Sequence, residues 1–505
     1  MKIAALASLV FTSGACSLAV ACGGGVSSAA SDRASAASVR SAAPSAGTSA
    51  STPLLDWPEF GLDPRRSDVS EESTGITAAN VSVLHRRTVA LDGTVDSSPV
   101  YLHGALVGGA IHNVVVVTTT YGRTVAIDAD SGRILWQFTP PGYGGWAGSA
   151  QITTASPLID PDDEWVYATS PNGLVHKLSL ANGHEDRAGS WPVSITRDAT
   201  HEKLGAALNI DGQYILAATS GYYGDIPPYQ GHVALISRAS GRIAGVFNTL
   251  CSNRRELILP RTCSASDSAI LSRGGPVVEP GGARILLDTG NGPWNGTTDF
   301  GDSVLELTVP GLRLRQSFTP TDQEHLNTND LDLGSSAPAL LGKDRIVLAG
   351  KDGTMRVLAA SRLSGHPPSP QGRLGGEVQQ LDLPGGGELF TAPAVWQHGG
   401  RTEMFLADEH ATAAYVLSHG RLVQVWENDT PGTSPVLVGG LLYVYDPSGG
   451  GISVYEPQSA HPIARLAGAP GHWNSPIVVD GHVVEPEGDA NAHLLSGTLE
   501  IFSVG

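Results

Sequence analysis

The sequence predicts an all-β protein, an eight-bladed β-propeller of four-stranded antiparallel blades that is closed by an N-terminal strand. Two sets of repeated segments and a high content of turn residues predict this fold. The chain carries 62 Gly and 33 Pro among 505 residues, so many turns are expected. With 41% hydrophobic and only 16% charged residues, the chain is too apolar for a disordered polymer and must fold.

The clearest repeat unit spans residues 97–138. It reads as a short strand entered through Ser-Pro, a β-branched second strand, an alternating third strand and a final strand that ends at Trp136. Gly-containing turns separate the strands, as in a four-stranded meander. The opening of this unit is found eight times: SSPVY (97–101), TASPLID (154–160), AALNIDGQYILAAT (206–219), GGPVVE (274–279), SSAPALL (335–341), TAPAVW (391–396), TSPVLVGGLLYV (433–444) and NSPIVVDGHVV (474–484).

The third strand of the unit is also found eight times. Eight copies of one four-strand order are typical of a propeller, whereas a pair of β-sandwiches, the alternative, does not repeat one order in this way. The third strands are TVAIDADSG (124–132), LVHKLSLANG (174–183), HVALISRASG (232–241), VLELTVPG (304–311), MRVLAA (355–360), AAYVLSHG (413–420), ISVYEP (452–457) and LEIFSV (499–504).

The spacing of the repeats predicts insertions and the way in which the ring closes. Each unit averages about 57 residues, longer than the ~40–50 of a compact blade. We therefore expect insertions at 184–205, 251–273 and 361–388. The last unit stops at its third strand, so HRRTVALDG (85–93) is expected to supply the missing strand and to cover the exposed edge.

Residues 1–22 predict export. One Lys and an Ala/Leu/Val-rich stretch have the form of a signal sequence. The end of this segment, Leu-Ala-Val-Ala-Cys, resembles a bacterial lipobox, in which Cys22 would be acylated and would tether the protein to a membrane. Ordinary signal cleavage near Ala21 and a weak membrane anchor are the alternatives. We expect a protein of the periplasm or the cell surface.

The segment that follows predicts a tether, and the compartment predicts a disulfide. Residues 23–53 are rich in Ser and Ala without an apolar period, so we expect a disordered linker before a propeller over 54–505. Export would place Cys251 and Cys263 in an oxidising compartment, on either side of a polar stretch. A disulfide between them is expected, and two unpaired buried thiols are the alternative.

The charge of the chain bears on its partners. The sequence has 31 Lys+Arg and 49 Asp+Glu, a formal net charge of −18. An acidic protein of this kind is not a nucleic-acid binder by default. We expect a protein partner or a small molecule on one propeller face, and a membrane through the lipid anchor.

The segment TVAIDADSGRILWQF (124–138) resembles the repeat of pyrroloquinoline quinone (PQQ) proteins. In that repeat an Ala-x-Asp-x-x-Ser/Thr-Gly-x-x-x-Trp stretch forms the turn and outer strand of a blade, and the Trp packs between blades. The resemblance extends over 57–505, although later units mostly lose the Trp. It implies the eight-bladed fold of quinoprotein alcohol dehydrogenases and of the propeller lipoprotein of the outer-membrane barrel-assembly machinery. The matching residues are Ala126, Asp128, Ser131, Gly132 and Trp136.

The dehydrogenases imply a cofactor site with PQQ and calcium. DTGNGPWNG (288–296) resembles the stretch whose first Asn binds calcium, so Asn291 is the candidate calcium ligand and cofactor contact, with Trp294 following as a second cofactor contact. AGKDGTMRVL (349–358) resembles the turn whose Lys contacts the quinone oxygens, which makes Lys351 a candidate. As alternatives, Asn291 forms a tight turn and Trp294 packs against a neighbouring blade.

The catalytic base of the dehydrogenases is implied within residues 317–340. The candidates for this base are Asp322, Asp330 and Asp332. The Asp-x-Trp-Asp run that usually carries the base is absent, and the alternative for these acids is a solvated loop.

Other enzyme features are missing from the sequence. The vicinal cysteines and a Cys-x-x-Cys-His haem site are absent. Tyr223 occupies the place of the Glu calcium ligand, with Asp225 two residues on, and Leu271 occupies the place of the Trp that supports the quinone. We therefore expect a binding or scaffold module of the cell envelope; the alternative is a divergent PQQ- and calcium-dependent oxidoreductase that acts on alcohols or sugars.

Overall fold

The computed structural model describes residues 56–505. The expected signal and lipobox segment (1–22), the tether (23–53) and Cys22 lie outside the described residues. None of the helices in the described part is long and apolar enough to cross a membrane.

The described residues form eight four-stranded antiparallel blades, which confirms the predicted fold. The first strands of most neighbouring blades contact one another, so the first strands surround the propeller axis. Blades one to four contain Val100–Val107, Ala110–Thr118, Thr124–Asp128 and Ile134–Phe138; Leu158–Ile159, Trp165–Ser170, Leu174–Ser179 and Val193–Ser194; Asn209–Asp211, Tyr214–Ala218, His232–Ser237 and Ile243–Asn248; Val277–Val278, Arg284–Asp288, Val304–Thr308 and Leu314–Phe318. Blades five to eight contain Ala339–Leu341, Arg345–Ala349, Thr354–Ala359 and Gln379–Asp382; Ala394–His398, Arg401–Ala407, Thr412–Ser418 and Arg421–Asn428; Val436–Val438, Leu441–Tyr445, Ile452–Tyr455 and Pro462–Leu466; Ile477–Val479, His482–Glu487, Gly497–Ser503 and the N-terminal His85–Leu91.

The ring closes as the sequence predicts. His85–Leu91 pairs antiparallel with Gly497–Ser503 over seven residue pairs and becomes the outer strand of blade eight. Arg86 donates two hydrogen bonds to Glu500, at 2.8 and 2.9 Å, and fixes the register of this pair. The two ends of the propeller sequence therefore share one blade, which leaves no open seam in the ring.

Alternating apolar strands pack neighbouring blades against each other. Valines of the second strand of blade one are fully buried, because both faces of this strand meet another blade. The indole Nε1 of Trp136 donates to the Leu180 carbonyl of blade two at 2.7 Å. A Cβ at Gly183 would lie 2.6 Å from the Trp136 ring. Trp136 therefore packs between blades one and two and joins them, as the resemblance implies.

Only the predicted insertion at 251–273 lies between blades; 184–205 contains Val193–Ser194, the fourth strand of blade two, and 361–388 contains Gln379–Asp382, the fourth strand of blade five. Cys251 and Cys263 form the expected disulfide, with Cα atoms 6.1 Å apart. The third insertion separates the last two strands of blade five, and a fourth long connection holds the α-helix Gln323–Thr328. Short elements complete the described part: strands Val69–Ser70, Glu202–Lys203 and Ser220–Gly221, and 3₁₀ turns Val81–Val83, Tyr143–Gly145, Pro260–Thr262, Leu333–Ser335 and Ala490–Ala492.

The segment 57–70, here called the strap, runs along the axial strands of several blades. Its backbone hydrogen-bonds successive first strands, and Val69–Ser70 adds to blade seven in parallel. Phe60 is buried among apolar residues of blades three to six. The strap thus fills the axial passage with side chains. Its backbone pairs are Trp57 with Tyr101, Pro58 with Ile159, Pro64 with Val278, Ser67 with Val395, and Asp68 with Leu437.

Candidate functional site

A cavity of about 300 Å³ lies at one end of the propeller axis. Its walls are built by segments that immediately precede the first strands, whereas the strap contacts these strands farther along. Thr154, Arg273 and Trp473 each lie four residues before the first strand of their blade. Several blades therefore present a side chain from the same repeat position to one cavity.

These wall residues share one position in the repeat, three residues before the Pro that opens the blade. This position precedes the repeated Ser-Pro opening and carries no motif of its own. A list of this position along the chain would have indicated the cavity, because a propeller brings equivalent positions around its axis. The residues at this position that line the cavity are Thr154, Arg273, Phe390 and Trp473. The other blades have Asp96, Gly205, Ser335 and Gly432 at the equivalent position, and these do not line it.

Four of the predicted site residues meet between blades four and five: Asp330, Asp332 and Lys351 line the cavity, and Asn291 contacts the two acids without lining it. The Asn291 backbone N–H donates to Asp332 Oδ1 at 2.7 Å, and its side-chain amide lies 3.4 Å from Asp330 Oδ1. Lys351 Nζ is 2.6 Å from Asp332 and 3.2 Å from Asp330. A Cβ at Gly290 would lie 2.2 Å from Asp332 Oδ1. Glycine at that position therefore lets the loop of blade four approach the carboxylate.

The charges in this wall depend on one another. Burial raises the pKa of Asp332, although Lys351 and the Asn291 N–H favour its ionised form. Burial alone would lower the pKa of Lys351, but Asp332 and Asp330 raise it above its ordinary value. Lys351 therefore remains an ammonium group that is already held by two acids of the protein.

Two predicted site residues lie elsewhere. The Asp322 side chain is 52% exposed at the start of the helix Gln323–Thr328, and its nearest cation is Arg356 at 3.9 Å. Trp294 forms an isolated bridge with Phe300 and packs against the apolar cluster between blades three and four. Neither residue lines the cavity. Asp322 was suggested by its proximity in sequence and Trp294 by the resemblance of 288–296 to the dehydrogenase motif, but the structure places both outside the cavity.

The oxygen donors around Asn291 do not fit a calcium ion. Calcium requires six to eight oxygen ligands, whereas the Lys351 ammonium occupies the space between Asp330 and Asp332. Tyr223, at the place of the Glu ligand, is 89% exposed. Asp225 lines the cavity but accepts a hydrogen bond from the Tyr229 hydroxyl at 2.7 Å. This wall is therefore a closed ion-pair network and not an open cation site.

A second cluster of acids is also neutralised by the protein. Asp96, His472 and Asp489 lie close enough to share a metal ion. However, Arg273 donates to Asp96 Oδ1 at 3.0 Å, while His472 Nδ1 and the Ala490 N–H lie 2.7 and 2.9 Å from its other oxygen. Burial would raise the pKa of Asp96, but Arg273 and His472 hold it below the usual range. This cluster fixes Arg273 in the cavity wall.

Lys203 is a cation of the cavity wall that has no nearby carboxylate partner in the described residues. Within residues 56–505, no carboxylate lies within 4.0 Å of its Nζ, in contrast to Lys177 and Lys351. Burial lowers the pKa of Lys203 to about 8, and the charge of Arg273 lowers it further. Lys203 belongs to no motif of the sequence, so it was not among the predicted site residues.

An aromatic pair completes the wall. The rings of Phe390 and Trp473 stack with centroids 4.2 Å apart and planes 14° from parallel. The Arg273 guanidinium lies 5.1 Å from the centre of the Trp473 ring. Leu271 lines the same cavity. The space thus combines an apolar surface with charged groups, as small-molecule pockets generally do.

Comparison with known proteins supports the fold. A family model described as outer membrane protein assembly factor BamB matches residues 77–246, which contain the closing strand and the first three blades. Residues 77–246 therefore match a PQQ-repeat family model, and solved structures of PQQ-repeat proteins share the β-propeller fold of this chain. A search of curated protein sequences returns no match.

Solved structures of quinoprotein dehydrogenases share this architecture. The quinohemoprotein alcohol dehydrogenase of Comamonas testosteroni is 15% identical with a TM-score of 0.65, over 90% of this chain and 82% of the enzyme. That of Pseudomonas putida HK5 is 12% identical with a TM-score of 0.67, over 89% and 80%. A europium-containing methanol dehydrogenase is 14% identical with a TM-score of 0.63, over 89% and 98%. Identities this low show the common fold.

Proposed function

We propose that the propeller is a binding module of the cell envelope whose axial cavity takes a small carboxylate ligand. The observation that supports this proposal is Lys203, an ammonium group at a cavity wall with no acidic partner within reach in residues 56–505. A desolvated charge without a counterion is costly. An anionic ligand would supply the missing counterion.

The surroundings of Lys203 favour a small ligand of this class. Arg273 adds positive charge to the same wall. The volume of about 300 Å³ is at the lower end of the range for ligand pockets. Phe390, Trp473 and Leu271 offer apolar contacts to the rest of the ligand. A compact carboxylate with a short apolar or planar body matches this combination.

Isothermal titration calorimetry with a panel of small mono- and dicarboxylates tests the proposal. The variant Lys203→Met should weaken binding by roughly 10–100-fold, because it removes a charge-assisted hydrogen bond worth about 1.5–3 kcal/mol. Lys343→Met is the matched control, since Lys343 is exposed and does not line the cavity. Equal affinity in wild type and Lys203→Met, or no binding by wild type, would contradict the proposal.

The second candidate is a divergent PQQ- and calcium-dependent oxidoreductase acting on alcohols or sugars. One observation favours it: Asn291, Asp332 and Lys351, all suggested by the resemblance to the dehydrogenases, meet in one wall. The donor set of that wall does not suit calcium, so we rank this function second. Purified protein supplied with PQQ, calcium and a simple alcohol should reduce no redox dye. Steady dye reduction that is lost in Asn291→Ala would reverse the ranking.

We further propose export and membrane attachment through a lipid on Cys22, with protein partners on one propeller face. The description of the matching family model, an outer-membrane assembly factor, supports a scaffold role in the envelope. Metabolic labelling with a radioactive fatty acid should mark the wild type and should not mark Cys22→Ala. Label that persists in this variant would exclude lipidation at this cysteine.

A further inference from the structure

We propose that Lys203 binds its ligand covalently and reversibly, as an imine with the carbonyl carbon of a small oxo acid that enters the axial cavity. This inference rests on the proposed function and specifies the chemistry of its ligand. The ligand class is a carboxylate that also carries an aldehyde or ketone, such as an α-keto acid. No motif of the dehydrogenase resemblance contributes to it.

The position of Lys203 is set by the backbone. Glu202–Lys203 pairs antiparallel with Ser220–Gly221, the two-stranded sheet beside blades two and three. A Cβ at Gly205 would lie 3.2 Å from Lys203 Cε and 2.9 Å from Ser220 Oγ. Lys203 therefore lies close against Gly205 and lines the cavity. An amine held in this way meets a bound carbonyl group without a large loss of conformational freedom.

The absence of a partner distinguishes Lys203 from the other cavity lysine. Lys351 Nζ contacts two carboxylates, at 2.6 and 3.2 Å, which keep it protonated and therefore not nucleophilic. In the described part of the chain, Lys203 Nζ has no carboxylate within 4.0 Å. A lysine that is desolvated and close to another cation is the usual form of an imine-forming lysine.

The charges around Lys203 support a reactive amine near neutral pH. Burial, followed by the charge of Arg273, lowers its pKa to about 8, while Asp96 and Asp225 act in the opposite direction. Roughly one molecule in ten then carries the free amine at pH 7, about two orders of magnitude more than for an ordinary exposed lysine. Arg273 stays in place through its bond with Asp96 and provides positive charge beside the carboxylate of the ligand.

The reaction requires no oxidant or reductant. The Lys203 nitrogen lone pair forms a bond to the carbonyl carbon, and the C=O π bond breaks. The oxygen takes up the two protons that leave the nitrogen and departs as water, and a C=N bond remains. Water reverses the sequence, so the ligand is released unchanged.

Reductive trapping tests the proposal directly. The full chain is incubated at pH 7 with pyruvate, or with glyoxylate as a smaller probe, in the presence of sodium cyanoborohydride. Intact mass and peptide mapping then locate the reduced adduct among the five lysines of the sequence, Lys2, Lys177, Lys203, Lys343 and Lys351. We expect one adduct, on Lys203, in wild type and in the control Lys343→Arg. Lys203→Arg should carry none, and Lys203→Met provides a second unreactive variant if the arginine disturbs folding.

Calorimetry with pyruvate separates this proposal from the proposed function. Lys203→Arg keeps the positive charge, so it should bind the carboxylate while forming no adduct. Binding by wild type without any adduct on Lys203 would exclude the imine and leave the binding function standing. Adducts spread equally over Lys203 and the exposed Lys343, or an adduct that persists in the cavity of Lys203→Arg, would also overturn the imine. Absence of both binding and adduct would reject both proposals.

Discussion

Arg66 in the strap is buried and Lys203 in the cavity wall is partly buried, and the two cations differ in their partners. Arg66 Nη1 is 2.8 Å from Glu59, and its other donors reach the carbonyls of Phe60, Leu208 and Gly274 at 2.6 to 3.0 Å. Lys203 has no acidic partner in the described residues.

The difference separates structural charges from charges available to a ligand. A buried cation whose donors are all satisfied can hold chain segments together, and Arg66 joins the strap to blades three and four in this way. A cation that faces a cavity without a partner destabilises the unliganded protein, and the binding of an anion relieves that destabilisation. Lys351 is intermediate, because it lines the cavity but is paired with Asp330 and Asp332.

The largest expected effect is that of removing the fully paired cation. Arg66→Met should lower the free energy of unfolding by about 3–5 kcal/mol, because it leaves the buried Glu59 and three carbonyls without their donor. Urea denaturation measures this change. Burial raises the pKa of Glu59 while Arg66 lowers it, so the carboxyl would take up a proton more readily in the variant.

The neighbouring Arg65 provides the control for this prediction. Its ion pair with Asp63 is 2.8 Å long, but half of the Arg65 side chain is exposed. Arg65→Met should therefore change the free energy of unfolding by only about 0–1 kcal/mol. Equal destabilisation by the two substitutions would show that the strap does not depend on the buried network of Arg66.

The next largest change in the free energy of unfolding is expected for Lys351, the cavity lysine that is paired with acids. Lys351→Met should destabilise the protein by about 1–3 kcal/mol, because Asp332 keeps the Asn291 N–H but loses its buried counterion. The double variant Lys351→Met with Asp332→Asn should recover much of that loss, since neither charge then remains. Thermal and urea unfolding of the two single variants and the double variant measure the coupling. Additive losses would mean that the ion pair is not the source of the effect.

The sequence predicted the blades because their signals are local. Alternating β-branched strands, Ser-Pro openings and Gly turns act within each unit, and their eightfold repetition predicts the ring. The closing strand at 85–93 followed from counting strands. The strap was missed because each of its contacts involves one or two residues on a different blade, so the segment 57–70 has no periodic pattern of its own.

The candidate site was predicted only where a motif carries it. Asn291 and Lys351 are found together because each belongs to a recognisable turn, and Asp330 and Asp332 lie beside them. Asp322, chosen by proximity, instead precedes a short helix that the sequence did not indicate. Arg273 and Lys203 belong to no motif. Their role depends on which positions the ring brings to its axis, and no single segment of the chain contains that information.

The smallest expected change in the free energy of unfolding is that of Lys203→Met, and its sign is opposite to that of the other substitutions. Lys203→Met should leave the free energy of unfolding unchanged or raise it, by roughly 1–2 kcal/mol at pH 7, because it removes an unpaired, partly desolvated charge without leaving a buried acid. The pKa of Lys203 is about 8 in the folded protein, against an ordinary value of 10.5. The unfolded chain therefore binds more protons between these values, and the contribution of Lys203 to stability rises with pH across this window. The difference in free energy of unfolding between Lys203→Met and wild type should shrink from pH 7 to pH 10, and a difference that stays constant or grows would show that Lys203 is paired after all.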